Sequence, residues 1–346
     1  MIRNLIVLIT FFTVGLSSFA QDPHFSQFWN TPLLQNPSFA GKADGDIRAI
    51  VNHKSQWGAV TSNPYQTFGA SYDMLINSSS SENKLAGGLS MYTDVAGASK
   101  MRTTLVNLAA AYHFKVSTNH FLSGGVQFGI NQKSIDDSDL RFDNQFEGTG
   151  HNAALSSNES FGNFSEIKPT VAGGISYLWI DQQSKTTGRG SDRKINVGVA
   201  MHHLNSPDFM FISEEAQGFR YIGSFLSSFT LDGTNWTIQP AAFAAIQNNA
   251  TDIVMGSVFQ YQLKEASRVT DFNKSASIGL GGFYRFGDAI IPNIQFQWST
   301  FSVGMSYDIN VSQLSGASFG RGGFEINLKF VSLNSSFGKK SQARFM

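Results

Sequence analysis

From about residue 45 onward, apolar and small polar residues take turns along the chain in segments separated by polar turns. Phe301, Val303, Met305, Tyr307, Ile309 and Val311 fall on one side of an extended backbone, with Ser302, Gly304, Ser306, Asp308 and Asn310 on the other. Phe324, Ile326, Leu328 and Phe330 oppose Gly323, Glu325, Asn327 and Lys329 in the same way. Leu122, Val126, Phe128 and Ile130 oppose Ser123, Gln127 and Asn131, and Ile195, Val197, Val199 and Met201 oppose Asn196, Gly198, Ala200 and His202. A period of two predicts strands. The pattern predicts fourteen of them, beginning near residues 45, 65, 84, 99, 120, 168, 193, 220, 236, 250, 274, 289, 300 and 320.

A water-soluble sandwich also alternates, so periodicity alone does not choose between water and lipid. Three features do. The segments approach the ~9–11 residues of a tilted membrane strand, against ~5–6 for soluble strands. Several apolar faces end in aromatics, as at Tyr177 and Trp179, Tyr284 and Phe286, or Trp298, which suits interfacial girdles. The opposite faces carry Gly, Ser, Asn and Gln in place of the Lys and Glu of a water-facing sheet. The expected fold is all-β: an antiparallel transmembrane β-barrel of about 14 strands over residues 45–333, preceded by an irregular segment and followed by a tail at 334–346. An even strand count returns both termini to one side. With that side periplasmic, 136–167, 205–219 and 312–321 become extracellular loops, and 117–119, 232–235 and 299–300 periplasmic turns. The tight 287–288 link and the longer 181–192 link depart from that rule.

Residues 1–20 read as a signal peptide: Arg3, an apolar run from Leu5 to Val14, then Gly15, Ser17, Ser18 and Ala20 before the polar Gln21. After residue 20 no apolar stretch approaches the ~20 residues of a spanning helix. The sequence holds no cysteine, which removes disulfides, thiol nucleophiles and thiolate metal sites. Charged residues make up 14%, against about 25% in a typical soluble domain, and 25 basic residues balance 25 acidic ones. Bulk charge therefore offers nothing to nucleic acid.

Between signal peptide and first strand, in the irregular segment 21–44, lies QDPHFSQFWNTPLLQNPSFAG (21–41), with four aromatics and three prolines that oppose long regular elements. It resembles the N-terminal signature of the PorP/SprF family, outer-membrane components of type IX secretion and gliding. Further resemblance follows in HKSQWG (53–58), YQTFGASYD (65–73), the 94–97 turn, LAAAYHFKVS (108–117), LRFDNQFEG (140–148), HHLNSP (202–207), SYDI (306–309) and GGFEINL (322–328). Phe324 stands where the family often has a His before the last strand's glutamate, so no role for that imidazole carries over. The resemblance implies a cell outer-membrane protein of Bacteroidetes-like type working with periplasmic or peptidoglycan-linked type IX components and an exported surface protein or adhesin.

Phe25, Phe28, Trp29, Pro32 and Pro37 form a strip that must be buried in something, either a docked periplasmic partner or the barrel's own rim or lumen. Asp308, Glu325 and Lys329 are ionisable groups on expected lumen faces, where pairing that holds the closure together competes with a functional role. His202 and His203 are adjacent on a strand, so they diverge and cannot chelate one ion together. Asp136, Asp137, Asp139, Asp143 and Glu147 lack the glycine of a calcium-binding EF-hand loop. His113, beside many serines, has no nucleophile motif. No cofactor, metal or catalytic group is expected. The function expected is a non-catalytic barrel that docks an exported surface protein to the periplasmic apparatus; the alternative is a diffusion channel or small-solute transporter.

Overall fold

The computed structural model describes residues 22–332 apart from positions 59, 62, 77–81, 98, 137–139, 153, 157, 159–164, 184–190, 210–216, 266–274 and 314. The expected signal peptide, the 334–346 tail, Asp137 and Asp139 lie outside the described residues. The strands are β1 (Ile47–Gln56), β2 (Tyr65–Leu75), β3 (Lys84–Ala96), β4 (Met101–Ser117), β5 (His120–Ser134), β6 (Ser165–Gln183) and β7 (Ser191–His202). They continue as β8 (Arg220–Thr230), β9 (Trp236–Gln247), β10 (Ala250–Lys264), β11 (Ala276–Arg285), β12 (Ala289–Trp298), β13 (Phe301–Asn310) and β14 (Arg321–Val331). Each strand pairs antiparallel with its sequence neighbours, and β1 pairs with β14 from Arg48↔Val331 to Gln56↔Gly323, closing a 14-stranded barrel.

The barrel is apolar outside and polar inside. Phe301, Met305, Tyr307 and Ile309 of β13 are exposed, whereas Ser306, Asp308 and Asn310 between them are buried. On β5, Leu122, Val126, Phe128 and Ile130 face out while Ser123, Gln127 and Asn131 are buried. Lipid dictates this inversion: with no water to satisfy them, polar side chains and backbone groups must find partners within the closed sheet or its lumen. The two longest connections, 135–164 and 203–219, lie at one end together with 311–320; this is here called the loop end. The start of β1, the exit of β14 and the short 118–119 and 299–300 turns lie at the other, the turn end. The turn end also carries the longer 184–190 and 265–275 connections.

The segment before β1 is not extended. It forms three helical turns, Phe28–Asn30, Pro32–Gln35 and Pro37–Phe39, and two of its prolines start a turn instead of breaking one. Proline fits the first helical position because its missing N–H has no partner to lose there.

The facing of the wall sets an expected outcome. Met305→Arg puts a cation into lipid near the middle of β13, at a cost of about 2–4 kcal/mol. Ser302→Arg, on the half-buried polar face of the same strand, costs far less. Urea titration of heat-modifiable migration should show a lowered midpoint for the first only; equal loss would mean the facing is reversed.

Candidate functional site

Residues 22–44 occupy the lumen and run its full height. Asp22 sits at the loop end: its N–H donates to Gln247 Oε1 at 3.1 Å, and its carboxylate lies 2.6 Å from His203 Nε2, 2.7 Å from Gln217 Nε2 and 3.5 Å from Arg220 Nη1. Burial opposes its charge, yet these cationic and donating neighbours hold the Asp22 carboxyl far below the usual carboxylate range. The chain then descends to Asp44 at the turn end, where it meets Lys194 of β7 at 2.8 Å. The segment therefore starts at the end opposite to the start of β1, so Asp22 and the exit of β14 do not share one end as the even strand count suggested.

Three groups of contacts hold the segment. At the upper level, Glu325 of β14 accepts the N–H groups of Ser26 at 2.6 Å and Gln27 at 3.1 Å. Ser26 Oγ donates to Asp308 Oδ2 at 2.8 Å, and Arg285 donates both to Asp308 at 2.9 Å and to Ser26 Oγ at 3.0 Å. Lys54 of β1, fully buried, lies 3.5 Å from Asp308 and donates to the His24 carbonyl at 3.2 Å. Buried charges survive only when paired and hydrogen-bonded, and here the segment's own backbone supplies the N–H groups that Glu325 accepts and the carbonyl that Lys54 meets.

At mid-height the aromatics pack. Phe28 makes an edge contact with Phe283 and a tilted one with Phe243, and Trp29 stacks on Phe283 at 4.2 Å between centroids. On the opposite wall, Pro37 and Ser38 lie on Gly125 so closely that a Cβ there would stand 2.5 Å from the Pro37 carbonyl carbon. Gly174 and Gly198 likewise leave room for Asn36 and Phe39. Asn36 donates to the carbonyls of Ile175 and Val199, both at 3.1 Å.

At the lower level, Arg48 and Asp73 form a two-point pair at 2.9 and 2.8 Å. Asp73 also accepts the Gly41 N–H at 2.7 Å, and Arg48 donates to the Phe39 carbonyl at 3.1 Å. Lys42 is buried and donates to Ser176 Oγ at 2.8 Å. Burial, and secondarily the charge of Lys194, pull its ammonium down to about 7.

Phe25, Phe28, Pro32 and Pro37 are thus buried and Trp29 half-buried inside the lumen. Their surface is spent on the barrel wall, and a partner could use it only if the segment left. Asp308 and Glu325 face the lumen as expected, but neither pairs with Lys329: the two acids hold Ser26 and Gln27, and Lys329 donates to Asn30 Oδ1 at 3.1 Å. His202 and His203 are both buried, where divergence along one strand would have sent their side chains to opposite faces. The strand ends at His202, and His203, at φ +60°, turns inward to Asp22.

His113 accepts from Ser123 Oγ at Nδ1 (2.7 Å) and donates from Nε2 to the Ala40 carbonyl at 2.9 Å. A nucleophile–base pair has this form, but both side chains are buried and the second ring nitrogen is committed to the segment. Among the described residues, no three His, Asp or Glu side chains gather to hold a metal ion.

Residues 17–330 match the family described as type IX secretion system membrane protein PorP/SprF. The chain belongs to that family. No curated relative matches it. Among solved structures it is similar to the monoaromatic hydrocarbon channel CymD, at 8% identity and TM-score 0.44, over 88% of this chain and 94% of that one. It is also similar to the beta domain of the Bordetella autotransporter BrkA, at 10% identity and TM-score 0.38, over 84% and 100%. Omp33 of Acinetobacter baumannii follows at 9%, 0.37, 84% and 100%. Likenesses at this level carry no functional argument. The family does bear on the lumen: Lys54, Asp73, His113, His202, His203, Asp308 and Glu325 all lie in motifs that carry the family resemblance, and each touches the segment or holds it through a shared ion pair.

Two outcomes follow. Gly125→Leu should displace the segment, because its side chain would occupy the space of the Pro37–Ser38 backbone; protease sensitivity at 22–44 in folded barrel reads this, and a protected segment would contradict the packing. The second concerns pH. Lys42 has a folded-state pKa below its unfolded value, so the unfolded or released state binds more protons between pH ~7 and ~10.5. The seat should tighten as pH rises through that window and be weakest below it. Lys42→Met should flatten the dependence, as measured by hydrogen exchange of the Gly41 and Lys42 amides.

Proposed function

We propose that this outer-membrane barrel is a non-catalytic component of type IX secretion and gliding, docking an exported surface protein at the loop end to periplasmic apparatus at the turn end. The observation that supports this reading most is the filled lumen. A 14-stranded barrel lies between the eight strands that side chains can fill and the sixteen that leave an aqueous channel, and here the gap is occupied by a segment secured at three levels. A body so filled is suited to presenting surfaces at its two ends, while the closed His113–Ser123 pair offers a substrate no approach. In this reading the signal peptide directs export, and the loop end, with its long connections, faces the cell exterior.

The channel alternative rests on one observation, a polar cavity of about 310 Å³ between the segment and one side of the wall at the turn end. Two measurements separate the readings. Protein purified in mild detergent from native membranes should bring type IX periplasmic chains with it, and the reconstituted barrel should show no steady openings in planar bilayers. Phe28→Ala with Trp29→Ala, removing about 3–5 kcal/mol of packing each, should switch steady openings on while migration of the folded barrel stays normal. Steady conductance in the unaltered protein, without co-purifying chains, would replace docking by transport.

A further inference from the structure

The segment does not fill the lumen evenly. It lies against β4, β5 and β6 through Pro37–Phe39, and at the turn end it leaves the cavity of about 310 Å³ against the opposite wall. Gln239 of β9, Gln260 of β10, Ser277 of β11, Gln295 and Gln297 of β12 and Ser302 of β13 line it, with Lys329 and Asp44 at its borders. Ser275, Ser299 and Ser332, beside the strand ends, form the rim, so it opens toward the turn end.

Its chemistry is specific. Four glutamines form a relay: Gln295 Nε2 donates to Gln239 Oε1 at 3.3 Å, Gln239 to Gln260 at 2.6 Å, and Gln260 to Gln297 Oε1 at 3.3 Å. The relay leaves an amide oxygen on Gln295 and an amide nitrogen on Gln297 with capacity to spare. Both side chains lie on the same face of β12, two residues apart, hence about 6.7 Å along the strand. An extended polypeptide presents its N–H and C=O groups to one side at that same two-residue repeat. At the borders Asp44 is paired with Lys194 and Lys329 donates to Asn30, and the Gln and Ser side chains between them carry no charge, so the lining favours a neutral ligand rich in alternating donors and acceptors. Phe296, between the two glutamines, faces outward and is 46% exposed, so it offers the lumen no ring for a sugar to stack on.

We propose that this cavity receives an uncharged, extended polypeptide segment of a partner, bound through its main chain by the glutamine relay. That the partner arrives from the periplasm rests on the docking reading above; the binding chemistry does not.

The test uses the full barrel in detergent and a fluorescently labelled hexapeptide of alternating Ser and Gly. Polarisation should rise saturably. The same peptide N-methylated at alternate residues, and thus without those donors, should bind about tenfold more weakly or worse. Gln260→Leu should produce a similar loss, and Ser302→Arg should block the cavity while the barrel keeps its heat-modifiable migration. Maltohexaose serves as the glycan probe. Absence of saturable peptide binding, indifference to N-methylation, or tighter binding of maltohexaose that depends on Gln260 would each overturn the proposal. The assay needs no other component of the apparatus, so its failure leaves the docking reading standing, and loss of co-purifying chains leaves a positive peptide result intact.

Discussion

Everything in this barrel follows from the need to satisfy polar groups where no water reaches them. Closing the sheet pairs every backbone group in lipid and forces one face of each strand inward. With fourteen strands that inner face encloses more space than wall side chains alone can fill. The segment 22–44 resolves the mismatch, bringing apolar bulk at Phe28, Trp29 and Leu33 and backbone donors at Ser26, Gln27 and Gly41.

The charges make sense only in that light. Lys54, Arg285, Asp308 and Glu325 come from four strands around the β1–β14 closure and are buried. Removing one member of such a set leaves the others uncompensated, which is far costlier than never having built it. The segment is thus more than filler: its amides neutralise acceptor capacity that the strands leave open. The Arg48–Asp73 pair repeats the arrangement at the opposite end on a smaller scale.

Much of this was legible in the residues, and the limit has a physical cause. The period of two places every strand start within three residues of where the structure has it, because a strand's facing is a local property of alternate side chains. Asp308 and Glu325 are likewise legible as lumen groups. Their true partners are not, since Ser26 and Glu325 stand 299 positions apart and no periodicity links them. Aromatic content showed that the N-terminal strip had to be buried but not in what. The glycines at 125, 174 and 198, on lumen faces of neighbouring strands, were the available sign that another backbone approaches there. His203 escaped because its inward turn depends on one left-handed backbone angle.

The path of Asp22 has a consequence for how the molecule comes to exist. From Asp22 at the loop end the segment descends through the interior and only then enters β1, so its buried levels of contacts are complete only when the wall around them is. Ser26 and Gln27 must wait for β14, the last strand in the sequence, before Glu325 reaches them. Such distant contacts are slow to form. Because Lys54 of the first strand and Asp308 and Glu325 of the last two all bond this segment, filling the interior and sealing the seam draw on the same contacts.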